Sequence, residues 1–318
     1  MSYVLPYASR SVSRGSCSIP VRGPLRIEDE LIHALDYLYS KGIVINQFHL
    51  TATTTGASET VSITRLTTYY DTTIDWGDGS APETLVAGVT TARTHVYATA
   101  GTYPITVNHA HLITQLRVDN AKLGGLDTAE LKYSKLTYFW VTLATGCTID
   151  SADMVDWRPT DWHLFSMPTG TYSISSANMV DWRPKDWRLH SMPAGTYSIS
   201  SANMVDWRPT TWYLFSMPTA GSSYTFAASC MRAWTALATL TMNDLGLDAA
   251  TVDLVLADLY AGRMGYTAAA PTANLGGSNA DPTGVYQAMV PPTTGMETKY
   301  ELVNDSASQG FKKWAITT

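Results

Sequence analysis

Three consecutive blocks are near copies of one another: SADMVDWRPTDWHLFSMPTGTYSIS (151–175), SANMVDWRPKDWRLHSMPAGTYSIS (176–200) and SANMVDWRPTTWYLFSMPTAGSSYTF (201–226). Trp157, Trp182 and Trp207 recur every 25 residues, as do Trp162, Trp187 and Trp212, and Met167, Met192 and Met217. Each block offers two short segments, W-x-L-x-S-M and T-Y-S-I-S, with turns at W-R-P-x and Pro-x-Gly; the third departs from this pattern after Met217. Alternation with Trp, Tyr and Thr predicts strands. A unit this short cannot bury its apolar face alone, so the units must stack and equivalent residues must form columns.

The repeat period lies in the range of leucine-rich repeats and related solenoids. Strand-to-strand stacking places equivalent residues about 4.8 Å apart. Asp156, Asp181 and Asp206 then form one ladder, and Arg158, Arg183 and Arg208 another. Like charges at that spacing repel by about 0.9 kcal/mol per pair in water, so the two ladders are expected to neutralise each other. The Trp157, Trp182 and Trp207 column has two readings. One is core packing, since each Trp buries roughly 150–250 Å²; the other is an exposed aromatic strip that binds sugars. A few positions vary between otherwise fixed neighbours: Thr160/Lys185/Thr210, Asp161/Asp186/Thr211, His163/Arg188/Tyr213 and Phe165/His190/Phe215. Fixed positions suit packing, and variable ones a solvent or partner face, although recent duplication followed by drift gives the same pattern. The candidate partner face is therefore Trp157, Trp182, Trp207, Arg158, Arg183, Arg208, His163, Arg188 and Tyr213.

The chain divides into an arm and short helix (1–43), an alternating β region (44–108), a repeat solenoid (109–221) with its 25-residue units at about 151–221, and a closing cap (222–318). The arm carries Arg10, Arg14, Arg22 and Arg26, the candidates for anchoring it to a partner, with a solvated tail as the plainer reading. Residues 27–41 place Ile27, Leu31, Ala34, Leu35 and Leu38 on one helical stripe, stopped by Gly42. In the cap, Asp248 precedes a second helical stripe of Val252, Val255, Leu256 and Leu259 closed by Gly262, and the tail alternates loops with a final strand at 313–317.

The 318 residues carry net charge −6, 15% charged and 45% hydrophobic residues, with 10 Trp and 18 Tyr. This composition excludes a disordered chain and argues against a nucleic-acid binder, which needs a basic face. No apolar window is long enough for a membrane span. The start is expected not to be a secretory signal, since it lacks an apolar centre. Cys17, Cys147 and Cys230 are too few and too scattered for a disulfide framework or a zinc site, and read as reduced, mostly buried thiols. No nucleophile elbow, phosphate loop or dinucleotide fingerprint occurs. His109 and His111 stand two apart with no supporting ligand. The chain is therefore read as a non-enzyme without cofactors.

The β region contains Asp75-Trp76-Gly77-Asp78-Gly79, then His95-Val96-Tyr97, Gly101, Thr102-Tyr103 and Ile105-Thr106-Val107. These residues resemble the signature of the PKD domain, which implies a seven-stranded immunoglobulin-like sandwich acting as a spacer or binding module. Asp75 and Asp78 have two readings: capping the turn backbone, or holding calcium. Over residues 45–318, the succession of PKD-like module, repeats, L-x-x-x-x-V-D-L-V-L-A-D-L helix, LGGSNADPTG segment and terminal G-F-x-K-W-x-I-T resembles repeat proteins encoded by tailed bacteriophages and aquatic bacteria. That resemblance implies a virion component assembled in the host cytoplasm, most simply a capsid decoration. Its partners would be the major capsid or tail protein, and self-association is open. A tail, collar or vertex protein recognising host surface glycan is the second reading, and a bacterial surface adhesin the third. The expected fold class is mainly β: a PKD-like sandwich, then a leucine-rich-repeat-like solenoid with an α/β cap.

Overall fold

The computed structural model describes residues 46–304 and 313–318. The arm, its helix and Arg10, Arg14, Arg22, Arg26 and Cys17 lie outside the described residues. In chain order the strands are β1 Gln47–Thr54, β2 Glu59–Ile63, β3 Arg65–Thr68, β4 Thr72–Asp75, β5 Glu83–Leu85, β6 Arg93–Tyr97 and β7 Gly101–Asn108. They continue with β8 Ile113–Val118, β9 Leu123–Gly124, β10 Tyr138–Thr142, β11 Cys147–Asp150, β12 Asp161–Phe165 and β13 Gly170–Ser175. The last are β14 Asp186–His190, β15 Thr196–Ser200, β16 Thr211–Phe215, β17 Ser222–Thr225, β18 Thr239–Thr241, β19 Thr272–Asn274 and β20 Ala315–Thr317. Helices α1 (Ala249–Gly262) and α2 (Gly295–Asn304) interrupt the final strands. The chain is mainly β.

Residues 47–108 form antiparallel sheets, one ordered β5-β4-β7-β1-β9 and one pairing β2 with β6. Alternation along β1 buries Phe48, Leu50 and Ala52 against Val61, Ile74, Ile105 and Val107.

From β8 onward the strands other than β9 are parallel and in register, ordered β8-β10-β12-β14-β16-β18-β19-β20 in one sheet. A second parallel sheet runs β11-β13-β15-β17. Register places Leu116, Phe139, Trp162, Trp187, Trp212 and Leu240 side by side in one inward row of the long sheet. Val118, Val141, Leu164, Leu189 and Leu214 form the next inward row. Both W-x-L-x-S-M and T-Y-S-I-S are strands, one in each sheet.

The fixed Ser-Ala-x-Met segments are single 3-10 turns, Ser151–Met154, Ser176–Met179 and Ser201–Met204. Their first serine links neighbours: buried Ser176 Oγ accepts from Ser200 N (2.9 Å) at the end of its own unit and from Asn203 Nδ2 (2.9 Å) of the next. Ser151 does the same toward Ser175 and Asn178. These positions stay constant because they pair buried polar groups that would otherwise be lost from water unpaired.

The expected division at residue 108 is crossed by two sheets. β3 pairs antiparallel with β8 at the end of the long sheet, and β1 pairs with β9. The antiparallel region thereby covers the first edge of the parallel stack, an edge that would expose unpaired backbone. At the other end, α1 is capped by Asp248, which accepts from Thr251 N (2.8 Å), and buries Val252, Val255, Leu256 and Leu259. Its buried Asp258 accepts from Ser229 N (2.6 Å) and Met231 N (3.0 Å), tying the helix to the last turn of the stack. The tail differs from the expected succession of loops: it contains α2.

Candidate functional site on the outer face of the long sheet

The tryptophans of the three blocks resolve into two interleaved columns, both inside. Trp157, Trp182 and Trp207 are fully buried, which corrects their candidacy for a partner face. Each donates its indole N–H to a carbonyl one unit back: Trp157 to Leu131, Trp182 to Met154 and Trp207 to Met179, all at 3.3 Å. That bond explains why W-R-P turns inward: the indole ring fills the core while its one donor finds an acceptor. Trp162, Trp187 and Trp212 stack with centroids 5.5 and 5.2 Å apart, and their N–H groups have no hydrogen-bond partner. An unpaired buried donor costs about 1–3 kcal/mol. Burying roughly 150–250 Å² of ring at about 25 cal/mol per Å² returns about 4–6 kcal/mol, so the column still favours folding.

The two charged ladders interlock as the residue spacing predicts. Arg158 reaches Asp181 of the next unit at 3.3 Å, and Arg183 reaches Asp206 at 3.3 Å. Arg158, Arg183 and Arg208 are exposed, and each Nη1 also donates to the two carbonyls flanking its turn, Val155 and Trp157 in the first unit.

The variable positions at 161/186/211, 163/188/213 and 165/190/215 lie on the outer face of the long sheet, since residues two apart on a strand share a face, while Thr160, Lys185 and Thr210 immediately precede the strands. One row runs Arg65, Arg117, Trp140, His163, Arg188 and Tyr213 in direct register. Its guanidinium groups lie over rings of the same face: Arg65 4.1 Å over Tyr138 of the neighbouring row, Arg117 4.2 Å over Trp140, and Arg188 4.9 Å over Tyr213. A parallel row holds Phe165, His190 and Phe215, with His190 stacked 4.6 and 4.2 Å from its two phenyl neighbours. Burial, with Arg188 and His163 nearby, pushes the His190 imidazole down to about 4. The third row carries Asp161, Asp186 and Thr211.

Arg188 and Tyr213 are half-buried at this face, whereas His163 is buried beneath the Trp140 ring, 4.2 Å away, and is not an open contact residue. Arg188 grips Asp186 with two bonds of 2.8 Å. Desolvation is the largest influence on the Asp186 carboxyl and raises it, but the nearby His163 ring and the bonds from Arg188 hold it below its ordinary value. Repeat comparison did not find Tyr138, Trp140, Arg65 and Arg117. Their strands precede the near-identical blocks, and only the alternating YFWVT stretch (138–142), aligned on DWHLF, signals that β10 belongs to the same array.

Asp75 and Asp78 hold their turn. Asp75 accepts from Gly77 N (2.9 Å), and Asp78 accepts from Ser80 N (3.0 Å) and meets His95 Nε2 at 2.7 Å. His95 stacks on Trp76, Tyr97 Oη donates to the Trp76 carbonyl (2.9 Å), and Tyr97 stacks on Tyr103. Gly77 sits at φ 76° with Pro104 O only 2.1 Å from where a Cβ would stand. Trp76, Gly77, Asp78, His95, Tyr97 and Tyr103 of the motif are thus linked through these contacts. Cys147 and Cys230 are buried thiols, and burial pushes Cys147 up to about 11.

No protein-family model, curated protein or solved structure matches this chain. Among the described residues no helix is long and apolar enough to cross a membrane.

Proposed function

We propose that this protein is a non-enzymatic structural component of a bacteriophage particle, most simply a capsid decoration, that displays its repeat stack as a contact surface. The observation that carries the reading is the division of each unit into an invariant interior and a variable outer face. Trp, Ser-Ala-x-Met and Arg-Pro positions repeat unchanged, while His163/Arg188/Tyr213 and Phe165/His190/Phe215 differ on one face. A scaffold that conserves its core and diversifies one face suits recognition rather than catalysis. In this reading residues 47–108 are a PKD-like sandwich serving as stalk, and the parallel stack is a solenoid of leucine-rich type. The N-terminal region, with Arg10, Arg14, Arg22 and Arg26, anchors the chain to the capsid or tail protein. Many copies on one particle turn weak contacts into firm attachment.

Mass spectrometry of purified particles, with peptide counts scaled to the major capsid protein, tests this. Abundant copies fit a decoration protein; absence from particles overturns the proposal. A few copies per particle would place the protein at a tail, collar or vertex and favour the second reading, recognition of a host glycan. The row of Arg117, Trp140, Arg188 and Tyr213 supports that second reading, since guanidinium groups and ring edges suit hydroxyl-rich ligands. Saturable binding to purified host polysaccharide, weakened in Arg117→Gln, is its expected signature.

A further inference from the structure

We infer that Asp161, His163 and Asp186 form a binding site for one first-row divalent transition ion, of which Zn2+ is the first to test. Asp161 and His163 stand two apart on β12 and share its outer face; Asp186 is the register partner of Asp161 on β14. One donor atom from each of the three lies within 4.8 Å of the other two.

The observation pointing to a ligand is His163. It is 98% buried, yet neither ring nitrogen has a hydrogen-bond partner. Its Nε2 lies 3.2 Å from Asp186 Oδ2 without the alignment of a hydrogen bond. Buried polar atoms in native proteins are paired, and an orphan of this kind calls for an ion or a water. Electrostatics point the same way. Two carboxylates directly opposite one another on adjacent strands repel, and among the described residues Arg188 is the guanidinium that binds the pair, through Asp186. Arg188 thus leaves the two carboxylates only partly neutralised beside the buried imidazole.

One nitrogen and two carboxylate oxygens form a donor set that suits zinc and its first-row neighbours, with water completing the shell. Bond lengths of about 2.0–2.2 Å require donors about 3.4 Å apart in a tetrahedral site. Rotation of the half-exposed Asp161 carboxylate, held by the Thr160 hydroxyl at 2.7 Å, closes the remaining gap. Arg188 then acts as an outer partner that orients Asp186. The ion would clamp two consecutive units at the centre of the outer face. The repeat restricts the site to this place: one unit further on, Arg188 and Thr211 stand where His163 and Asp186 stand here.

The test uses the full chain stripped with a chelator. Equilibrium dialysis against Zn2+ and visible absorption with Co2+ measure stoichiometry and coordination. One ion per chain is expected, with affinity falling at least tenfold in both Asp161→Thr and His163→Tyr. Those variants install the residues that the third unit already carries at the equivalent strand positions, and Asp161→Thr alters a half-exposed position, so it remains informative if the histidine variant fails to fold. Absence of stoichiometric binding overturns the proposal. So does binding whose affinity is unchanged in Asp161→Thr, which would place the ion elsewhere.

Discussion

Arg183 Nη2 stands 3.3 Å from Asp206 Oδ2 of the following unit, while Nη1 of the same guanidinium donates to Val180 O (2.9 Å) and Trp182 O (2.6 Å). The side chain is both an inter-unit ion pair and a cap on its own turn. The pair is solvated, at 48% and 65% side-chain exposure, so its attraction is worth about 0–1 kcal/mol and is screened by salt. The carbonyl bonds contribute about another 1 kcal/mol and are insensitive to salt. Arg183→Gln is therefore expected to lower unfolding free energy by about 1–2 kcal/mol, with much of the loss persisting at about 1 M salt. Urea denaturation at two ionic strengths measures it. An unchanged midpoint at low salt would show that the ladder adds no stability.

His190 sits between Phe165 and Phe215, and its pKa is lowered from 6.5 to about 4, with burial the first cause and Arg188 and His163 the next. The unfolded chain therefore binds more protons than the fold between those two values, and stability rises with pH across that window. The contribution is complete above about pH 6.5 and is lost on acidification toward pH 4. His190→Phe continues the phenyl column of the neighbouring units and removes the titrating group. Its melting temperature is expected to match or exceed that of the parent at pH 7 and to fall less steeply between pH 6.5 and 4. A parallel pH dependence in both proteins would assign the acid sensitivity to other groups.

Much of this fold is legible in the amino-acid sequence, and the reason is redundancy. Three copies of W-x-L-x-S-M state the strand, its inward face and its register three times over, so the Trp columns and the interlocked Asp181 and Arg158 follow from spacing. Legibility fails where the copies diverge. Nothing in the blocks reveals that β3 crosses from the antiparallel region to close the stack, because strand pairing across unrelated segments has no local signature. Trp140 and Arg117 escape for the same reason. The burial of His163 was obscured by polarity: a histidine at a variable position reads as surface, while the Trp140 ring lies over it. Helix α2 is a different kind of miss. Thr294-Gly295-Met296-Glu297 has the spacing of a capping box, a signal present in the chain but outweighed by the surrounding Pro and Gly.

The two tryptophan columns make a difference measurement possible. Trp182 donates to Met154 O at 3.3 Å, whereas Trp187, equally buried, has an unpaired N–H. Replacement by Phe removes ring volume at both sites. At Trp182 it also removes one of the two bonds to Met154 O, which keeps the bond from Trp157 N (2.9 Å); at Trp187 it removes an unsatisfied donor. Trp182→Phe is expected to cost about 1–3 kcal/mol more than Trp187→Phe. Chemical denaturation of the two variants decides it, and equal losses would show that the indole bond to Met154 adds nothing net. Intrinsic fluorescence should be blue-shifted in the native state, since both columns are enclosed.

Glu297 accepts from Gln287 Nε2 (3.0 Å), Thr293 N (2.9 Å), Thr293 Oγ (2.8 Å) and Thr294 N (3.1 Å), and so ties the first turn of α2 to the preceding loop. The bond from Gln287, followed by those from Thr293, brings its carboxyl from 4.5 down to about 2. A depressed carboxylate stabilises the fold above its unfolded value, and that contribution is lost as pH falls through the folded one. Glu297→Gln accepts fewer of these bonds and carries no charge toward the helix start. It should destabilise α2 at neutral pH and narrow its gap from the parent between pH 4.5 and 2. Hydrogen exchange at the amides of residues 293–304, compared at pH 7 and near pH 3, reads the effect locally. Faster exchange in the variant at pH 7 is expected, with the difference reduced near pH 3. Equal protection at pH 7 would show that the capping carboxylate does not hold this helix.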